Sequence, residues 1–469
     1  MSRYLGGLAL LVMLLWLLLR GIRSIRLRQL FLLLASYLFY ATFGLRFLLI
    51  LIASSLFNYF WGAYLRKQPT SNRLWAGIAV NLALLGYFKY VPALAFAVPR
   101  IWGASLENIV LPVGISFWTF QGLSYLLDTY REEELDPSLL EFCLYMGFGP
   151  TVLSGPICRL SELLGQFREP FAPKWDDVRA GLGRVWLGVF LMTAARILGS
   201  GLVAGTGVDA GFQTNIRQLT APDIWILALG YGFQLFFDFA GYSHIAIGSA
   251  RLFGFRLPEN FNHPYLSTTP SVFWTRWHMS LSFWIRDYVF LPLATLRRSV
   301  PWRNLALVLS MVIFGLWHKP KLTFVIWGAY QGLLLVAHRL WQQLGRRLGF
   351  EWRGPIASGI SWAVTFFGIC LGWLFFRAES LRDAISMFKT IFLKSSYVGY
   401  SLSPQLLKLV ILVCVTYFLL EVFRHWSGQR EDFVFSWMPL EFRYACYAVM
   451  LYLIVFRAAQ PQGFIYFQF

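Results

Sequence analysis

Charge is scarce in this chain, and acid is scarcer than base. Only 14% of its 469 residues are charged, 23 of them acidic and 41 basic. Soluble domains carry about 25% charged residues, so an ordinary water-soluble globule is excluded. Cysteine is sparse as well. Cys143, Cys158, Cys370, Cys414 and Cys446 fall mainly in apolar runs, with no paired spacing and no Cys-x-x-Cys, which removes a disulfide scaffold and a thiolate metal site. No internal repeat, low-complexity linker or soluble segment interrupts the chain. It reads as one integral domain over residues 1–469.

What fills the sequence is hydrophobic: 57% of it, with 44 Phe and 20 Trp, at a mean hydropathy of +0.56. Residues 47–64, 224–249, 322–340, 356–376 and 406–422 are apolar runs near the roughly 20 residues that a helix needs to cross a bilayer core. An all-α polytopic membrane protein is expected. Residues 5–19 could pass for a secretory leader, but Arg20, Arg23, Arg26 and Arg28 follow them, and no small-residue cleavage site does. A retained first helix is expected, with that arginine cluster in the cytoplasm and the N-terminus outside. The basic loops at Arg66, Lys67 and Arg73, at Arg297, Arg298 and Arg303, and at Arg346, Arg347 and Arg353 can share that side if an even number of crossings separates them.

A net charge of +18 suits loops that meet anionic headgroups of membrane lipids. It also suits a cytoplasmic surface that attracts an acidic donor, such as a nucleotide-bearing cofactor or an acyl carrier protein. Nothing points to nucleic acid. The polar interval 159–184, with Pro170 and Pro173, reads as a surface loop with interfacial helices, and 377–396 as a helix lying along the membrane.

Chemistry concentrates in the core region 230–332. One of only six histidines, His318 closes Met311-Val-Ile-Phe-Gly-Leu-Trp-His-Lys-Pro320, and an ionisable ring at the end of an apolar run is a functional candidate. Residues 304–317 give only 14 positions, a rise of about 21 Å against a core about 30 Å thick, before Pro320 interrupts the helix. The expectation is a broken segment that leaves His318, beside Trp317, at membrane depth, where irregular backbone lines a cavity or is buried in protein.

His278 lies forty positions upstream. A helical wheel from Val272 separates Thr275, His278, Ser282 and Arg286 from Phe273, Trp277, Leu281, Trp284 and Tyr288. This amphipathic helix either lies flat in the interface or turns its polar face to a water-filled cavity. Asp238, with Tyr242 one turn later on the same face, is costly to bury unpaired. It either holds an arginine or an indole N–H inside the bundle or takes a direct part in the chemistry. Glu259, Asn260 and Asn262 sit in a turn-rich connection where they can bond backbone groups, and His263, before Pro264, reads as a loop residue.

Taken in order, several motifs resemble the membrane-bound O-acyltransferases, in particular the bacterial branch containing alginate O-acetyltransferase and the teichoic acid D-alanyl transfer protein. They are Leu111-Pro-Val-Gly-Ile-Ser-Phe-Trp-Thr-Phe-Gln121, Tyr125-Leu-Leu-Asp-Thr-Tyr-Arg131, Gly155-Pro-Ile-Cys-Arg159, Phe237-Asp-Phe-Ala-Gly-Tyr-Ser243, Pro258-Glu-Asn-Phe-Asn262, the His278 segment and Gly315-Leu-Trp-His318. Trp373-Leu-Phe-Phe-Arg-Ala-Glu-Ser380 and Phe464-Ile-Tyr-Phe-Gln-Phe469 extend the likeness to the C-terminus.

The resemblance implies a ring of roughly 11–13 transmembrane or re-entrant helices around a central tunnel joining a cytoplasmic donor pocket to the far face of a bacterial inner membrane. It implies that His318 is catalytic and that His278 is a second residue of the same tunnel. It implies no tightly bound cofactor and a thioester donor, either an acyl-CoA or a phosphopantetheine-linked acyl carrier protein. The acceptor would be a hydroxyl of an exopolysaccharide or another cell-envelope polymer, reached directly or through a periplasmic acetyl-transfer partner. D-alanyl transfer towards teichoic acid is the alternative reaction.

Without the resemblance, a transporter or flippase would also account for an intramembrane Asp238 and broken helices, although paired interrupted repeats are not seen. Neither Gly-x-Ser-x-Gly nor a cysteine beside a base occurs, so direct transfer with a histidine base is expected. The family's usual Trp-His-Gly becomes Trp317-His318-Lys319-Pro320 here. A cation at Lys319 or Lys321 close to the ring would disfavour the charged imidazole, whereas one turned into the headgroups would not.

Overall fold

A computed structural model describes residues 21–92, 108–131, 135–170, 174–349, 352–427 and 440–457. Of the described residues, 78% are helical and none forms a strand. Among the described residues, six helices are long and apolar enough to cross a membrane: Leu45–Lys67, Trp175–Ser200, Ala221–Leu252, Val300–His318, Pro355–Arg377 and Pro404–Val422. The expected runs at 47–64, 224–249, 356–376 and 406–422 fall inside four of these. The run at 322–340 lies in a longer helix, Leu322–Arg347, whose last turn carries Arg346 and Arg347. The expected leader-like helix at 5–19 and the terminal Phe464-to-Phe469 motif lie outside the described residues.

Two sequence expectations are corrected, and a third gains detail. The helix ending at His318 starts at Val300 and not at Asn304. Ser299 accepts the Trp302 amide at 3.4 Å, and Pro301 sits in the first turn, where its fixed φ favours helix and its missing N–H is not needed. Nineteen residues rise about 28 Å, so this helix is nearly long enough to span, and the break falls after His318.

The polar interval 159–184, expected as a surface loop with interfacial helices, holds helices. A short helix, Leu160–Arg168, precedes the 26-residue Trp175–Ser200 helix, which begins inside the interval. The single amphipathic helix from Val272 to Tyr288 does not exist. Helices Pro270–Trp274 and Met279–Ile285 are separated by a turn, and Arg286–Phe290 continues as a π-helix.

Two compact units partition the chain, Met1–Trp186 with Ser243–Glu259, and Leu187–Tyr242 with Asn260–Phe469. In the first, polar side chains join helices, one pair fully buried as membrane-embedded interfaces require and one whose arginine reaches the surface. Asn58 and Asn81 exchange amide hydrogen bonds at 3.1 and 2.9 Å between Leu45–Lys67 and Ser71–Lys89. Glu141 closes a capping box with Ser138 at the start of Leu139–Gly147 and accepts the Arg168 guanidinium through both oxygens, at 2.8 and 3.0 Å. The Arg168 hydrogen bonds outweigh the effect of burial and hold the Glu141 carboxyl down to about 2.

In the second unit, helices Val300–His318 and Leu322–Arg347 form a hairpin in backbone contact. A Cβ on Gly315 would lie 2.1 Å from the Phe324 carbonyl oxygen, one on Gly328 2.2 Å from the Met311 oxygen, and one on Gly332 2.8 Å from Val308 Cα. Only glycine permits that approach, the small-residue packing that associates helices where no hydrophobic force distinguishes protein from lipid. Leu305, Leu309, Ile313 and Leu316 are exposed on the outer side, an apolar face suited to acyl chains. Beyond Arg377, the Leu381–Phe392 helix buries Ala384, Met387 and Ile391, in keeping with the surface helix expected there.

Two stability predictions follow from these contacts. Gly328→Ala should destabilise the detergent-solubilised protein by about 1–3 kcal/mol through overpacking, whereas Gly359→Ala, with nothing within 4 Å of its added Cβ, should leave the melting temperature unchanged or raised. For Glu141, whose folded carboxyl is depressed, the stabilisation is fully present above an unfolded value of about 4.3 and fades as pH falls towards 2. The melting-temperature gap between the parent and Glu141→Gln should therefore be constant from pH 7 to 5 and shrink below pH 4.

Candidate active site

The site is built where the hairpin turns. His318 is the last residue of its helix and is 2% exposed. The chain leaves it in extended conformation at Lys319, and Lys321 caps the next helix. Five aromatic rings hold the imidazole: Trp317 at 4.7 Å between centroids, Phe376 at 5.0, Phe314 at 5.2, Trp327 at 5.5 and Phe324 at 6.1. Phe314 is one turn earlier on the same helix, Phe324 and Trp327 come from the returning helix, and Phe376 comes from Pro355–Arg377.

His278 reaches the same place by a different device. It is fully buried and takes a left-handed backbone conformation, φ 42°, which a non-glycine residue adopts at a cost. The connection before it provides the constraint. Phe261 and Trp277 form an antiparallel bridge, the Asn262 amide donates to the Arg276 carbonyl at 3.0 Å, and the Met279 amide donates to the Asn260 carbonyl at 2.9 Å. The Asn260 side chain accepts the Ser280 hydroxyl at 2.6 Å. The His278 ring meets the edge of Phe239 at 4.5 Å and lies 6.3 Å from Trp317. Trp317 thus contacts both imidazoles.

The other residues singled out from sequence divide. Asp238 is buried at 4% exposure, immediately before the Phe239 that touches His278, and lies in electrostatic reach of Tyr231. Tyr242 is half-buried on the same helix. The Ser282 hydroxyl donates to the Trp277 carbonyl at 2.9 Å, serving the turn. Arg286 pairs with its neighbour Asp287 at 2.6 Å and is 53% exposed, so it does not share an inward face with His278. The reason is the left-handed turn, which ends the wheel on which the two had been aligned.

His263 is more than a loop residue. Its Nδ1 lies 2.7 Å from the Glu421 carboxylate, tying the connection to the Pro404–Ser427 helix. Glu259 pairs with Arg184 at 2.6 Å.

Sequence reasoning missed Trp327, Phe376 and Gln331, which is fully buried. A polar residue within the apolar Trp327-Gly-Ala-Tyr-Gln-Gly-Leu-Leu-Leu335 was the available signal. It also missed a cluster in which Asp209 accepts Gln234 Nε2 and an Arg377 nitrogen, each at 3.4 Å. Next to the site, burial first, and then the charges of Lys321 and Arg377, lower the Lys319 ammonium below its ordinary value.

The two buried imidazoles thus share one aromatic site within an all-α polytopic membrane protein. Residues 4–376 match MBOAT, the membrane-bound O-acyltransferase family, and the chain belongs to that family. It is similar to the probable alginate O-acetylase AlgI of Pseudomonas aeruginosa, 36% identical over 78% of this chain and 70% of that protein. It is also similar to the peptidoglycan O-acetyltransferase of Helicobacter pylori, 32% identical over 77% and 73%, and to the teichoic acid D-alanyltransferase of Bacillus subtilis, 28% identical over 67% and 80%. The protein is a multi-pass membrane O-acyltransferase of the O-acetyltransferase kind. The transporter alternative is set aside.

The cations around Lys319 give a pH prediction. With Lys319→Gly, a positive charge that opposes protonation of a nearby imidazole is lost. The acidic limb of the pH-rate profile should move to higher pH, and an overlay of the two profiles would dismiss any influence of Lys319 on the group that titrates there.

Proposed function

We propose that this enzyme moves an acetyl group from a cytoplasmic thioester donor to a hydroxyl of an extracytoplasmic polysaccharide or cell-envelope polymer at the inner membrane, with His318 as the base. The observation that supports this reading is the burial of His318 and His278 with the Trp317 indole in contact with both. Neutral His318 accepts the proton of the acceptor hydroxyl as its oxygen attacks the thioester carbonyl. The C–O bond forms, the C–S bond breaks, and the proton passes from the imidazole to the departing thiolate. His278 orients the acyl group or acceptor, or donates a hydrogen bond to the oxygen on which negative charge develops. The aromatic wall keeps water from the thioester.

The donor is an acyl-CoA or the phosphopantetheine arm of an acyl carrier protein. The names of the relatives, alginate and peptidoglycan acetylases among them, favour acetyl and a polymer acceptor, reached directly or through a periplasmic partner. The name of the D-alanyltransferase relative supplies the second reading, D-alanyl transfer from a carrier protein. Assay of the purified protein with radiolabelled acetyl-CoA and candidate acceptor glycans decides between them. His318→Ala should lower transfer roughly 100- to 10,000-fold with melting temperature and donor binding retained. Equal turnover in that variant would remove His318 as the base, and transfer only from a D-alanyl carrier protein would install the second reading.

A further inference from the structure

The returning helix of the hairpin carries a stripe whose hydrogen-bonding groups the reaction described so far does not use. Thr323, Trp327 and Gln331 are spaced four residues apart on Leu322–Arg347 and therefore lie along one face, about 6 Å between successive members. They are 4%, 1% and 0% exposed. Thr323 Oγ1, Trp327 Nε1 and both amide atoms of Gln331 are buried without a hydrogen-bond partner among the described residues. Unmet polar groups at such depth are costly and call for an explanation in water or ligand. Gly372 makes the place for Gln331, since a Cβ there would lie 2.3 Å from its Nε2.

The stripe has a direction. Trp327 packs on His318 at 5.5 Å, Gln331 follows one turn further from His318, and the helix continues to Arg339, which donates to Asn304 at 3.2 Å, and to the exposed Arg346 and Arg347. A thioester carrier that is anionic at its remote end suits the basic end, with its reactive end at the imidazole. Between these ends it needs partners for the backbone-like amides of its arm. A primary amide side chain offers one donor and one acceptor, the complement of a secondary amide, and the Trp327 N–H adds a donor.

We propose that Gln331, with the Trp327 indole N–H, recognises a secondary amide in the arm of the thioester donor and thereby sets donor specificity. This rests on the acyl-transfer reading of His318. Gln331 is a specificity residue and takes no part in the proton transfer.

The test uses the full-length protein in detergent and two donors of equal chain length, S-acetyl pantetheine and an S-acetyl alkanethiol without amides, at saturating acceptor. Replacing an unsatisfied buried amide by an apolar side chain of similar size is tolerated or stabilising, so Gln331→Leu should fold with a melting temperature at or above the parent's. Gln331→Met, which keeps the chain length, is the second variant. The expected result is a fall of about tenfold in kcat/KM for S-acetyl pantetheine, carried by KM, with a fall of less than about threefold for the amide-free donor. Equal falls for both donors, an unchanged donor preference, or an effect confined to the KM of the acceptor would each overturn the assignment while leaving the acyl-transfer reading in place. A parent protein that turns over neither donor would overturn this inference, and absence of transfer from an acyl carrier protein as well would overturn the acyl-transfer reading.

Discussion

The contact between Val300–His318 and Leu322–Arg347 is the constraint on which the site depends. Where Gly315 faces Phe324 and Gly328 faces Met311, backbone meets backbone, so neither helix can rotate or slide without a clash. In lipid, helices gain little by hiding apolar surface from one another, and close van der Waals approach takes over that role. With the two axes locked, the turn at Lys319 and Pro320 has little freedom, and His318 and Trp327 are held on facing sides of one seam. The aromatic wall completed by Phe376 then leaves the imidazole one orientation.

His278 is placed by a complementary principle. Its helix could have continued through the position, but the bridge between Phe261 and Trp277 and the bonds from Asn260 and Asn262 hold the chain in a left-handed turn. Each of those bonds satisfies a backbone group that would otherwise be stranded away from water. The same bonds that make irregular backbone tolerable therefore aim the ring towards Phe239 and Trp317. Strain at one residue is compensated by hydrogen bonds on its neighbours.

Polar side chains elsewhere follow the same logic with another result. The Asn58–Asn81 amide pair and the Glu141–Arg168 fork satisfy each other completely enough to act as glue between helices. The stripe of Thr323, Trp327 and Gln331 does not.

Membrane character, helical class and the candidacy of His318 and His278 were legible in the residues, because they depend on composition and on the rarity of ionisable groups in apolar runs. Four of the five apolar runs lie within helices long and apolar enough to span. Periodicity misled where the chain turns. The wheel through residues 272–288 aligned Arg286 with His278, yet a single left-handed residue breaks the phase, and local pattern carries no sign of the distant Asn260 and Phe261 that hold it there. Pro301 falls within the interval read as a basic loop between Arg297 and Arg303, yet proline in the first turn starts a helix as readily as it ends one. Composition and local pattern by themselves determined that this is an α-helical membrane protein with two exceptional histidines. Tertiary structure alone decided that Trp317 contacts both of them, that Arg286 faces away and that Gln331 lies beside the site, because those relations are set by contacts between segments far apart in the chain.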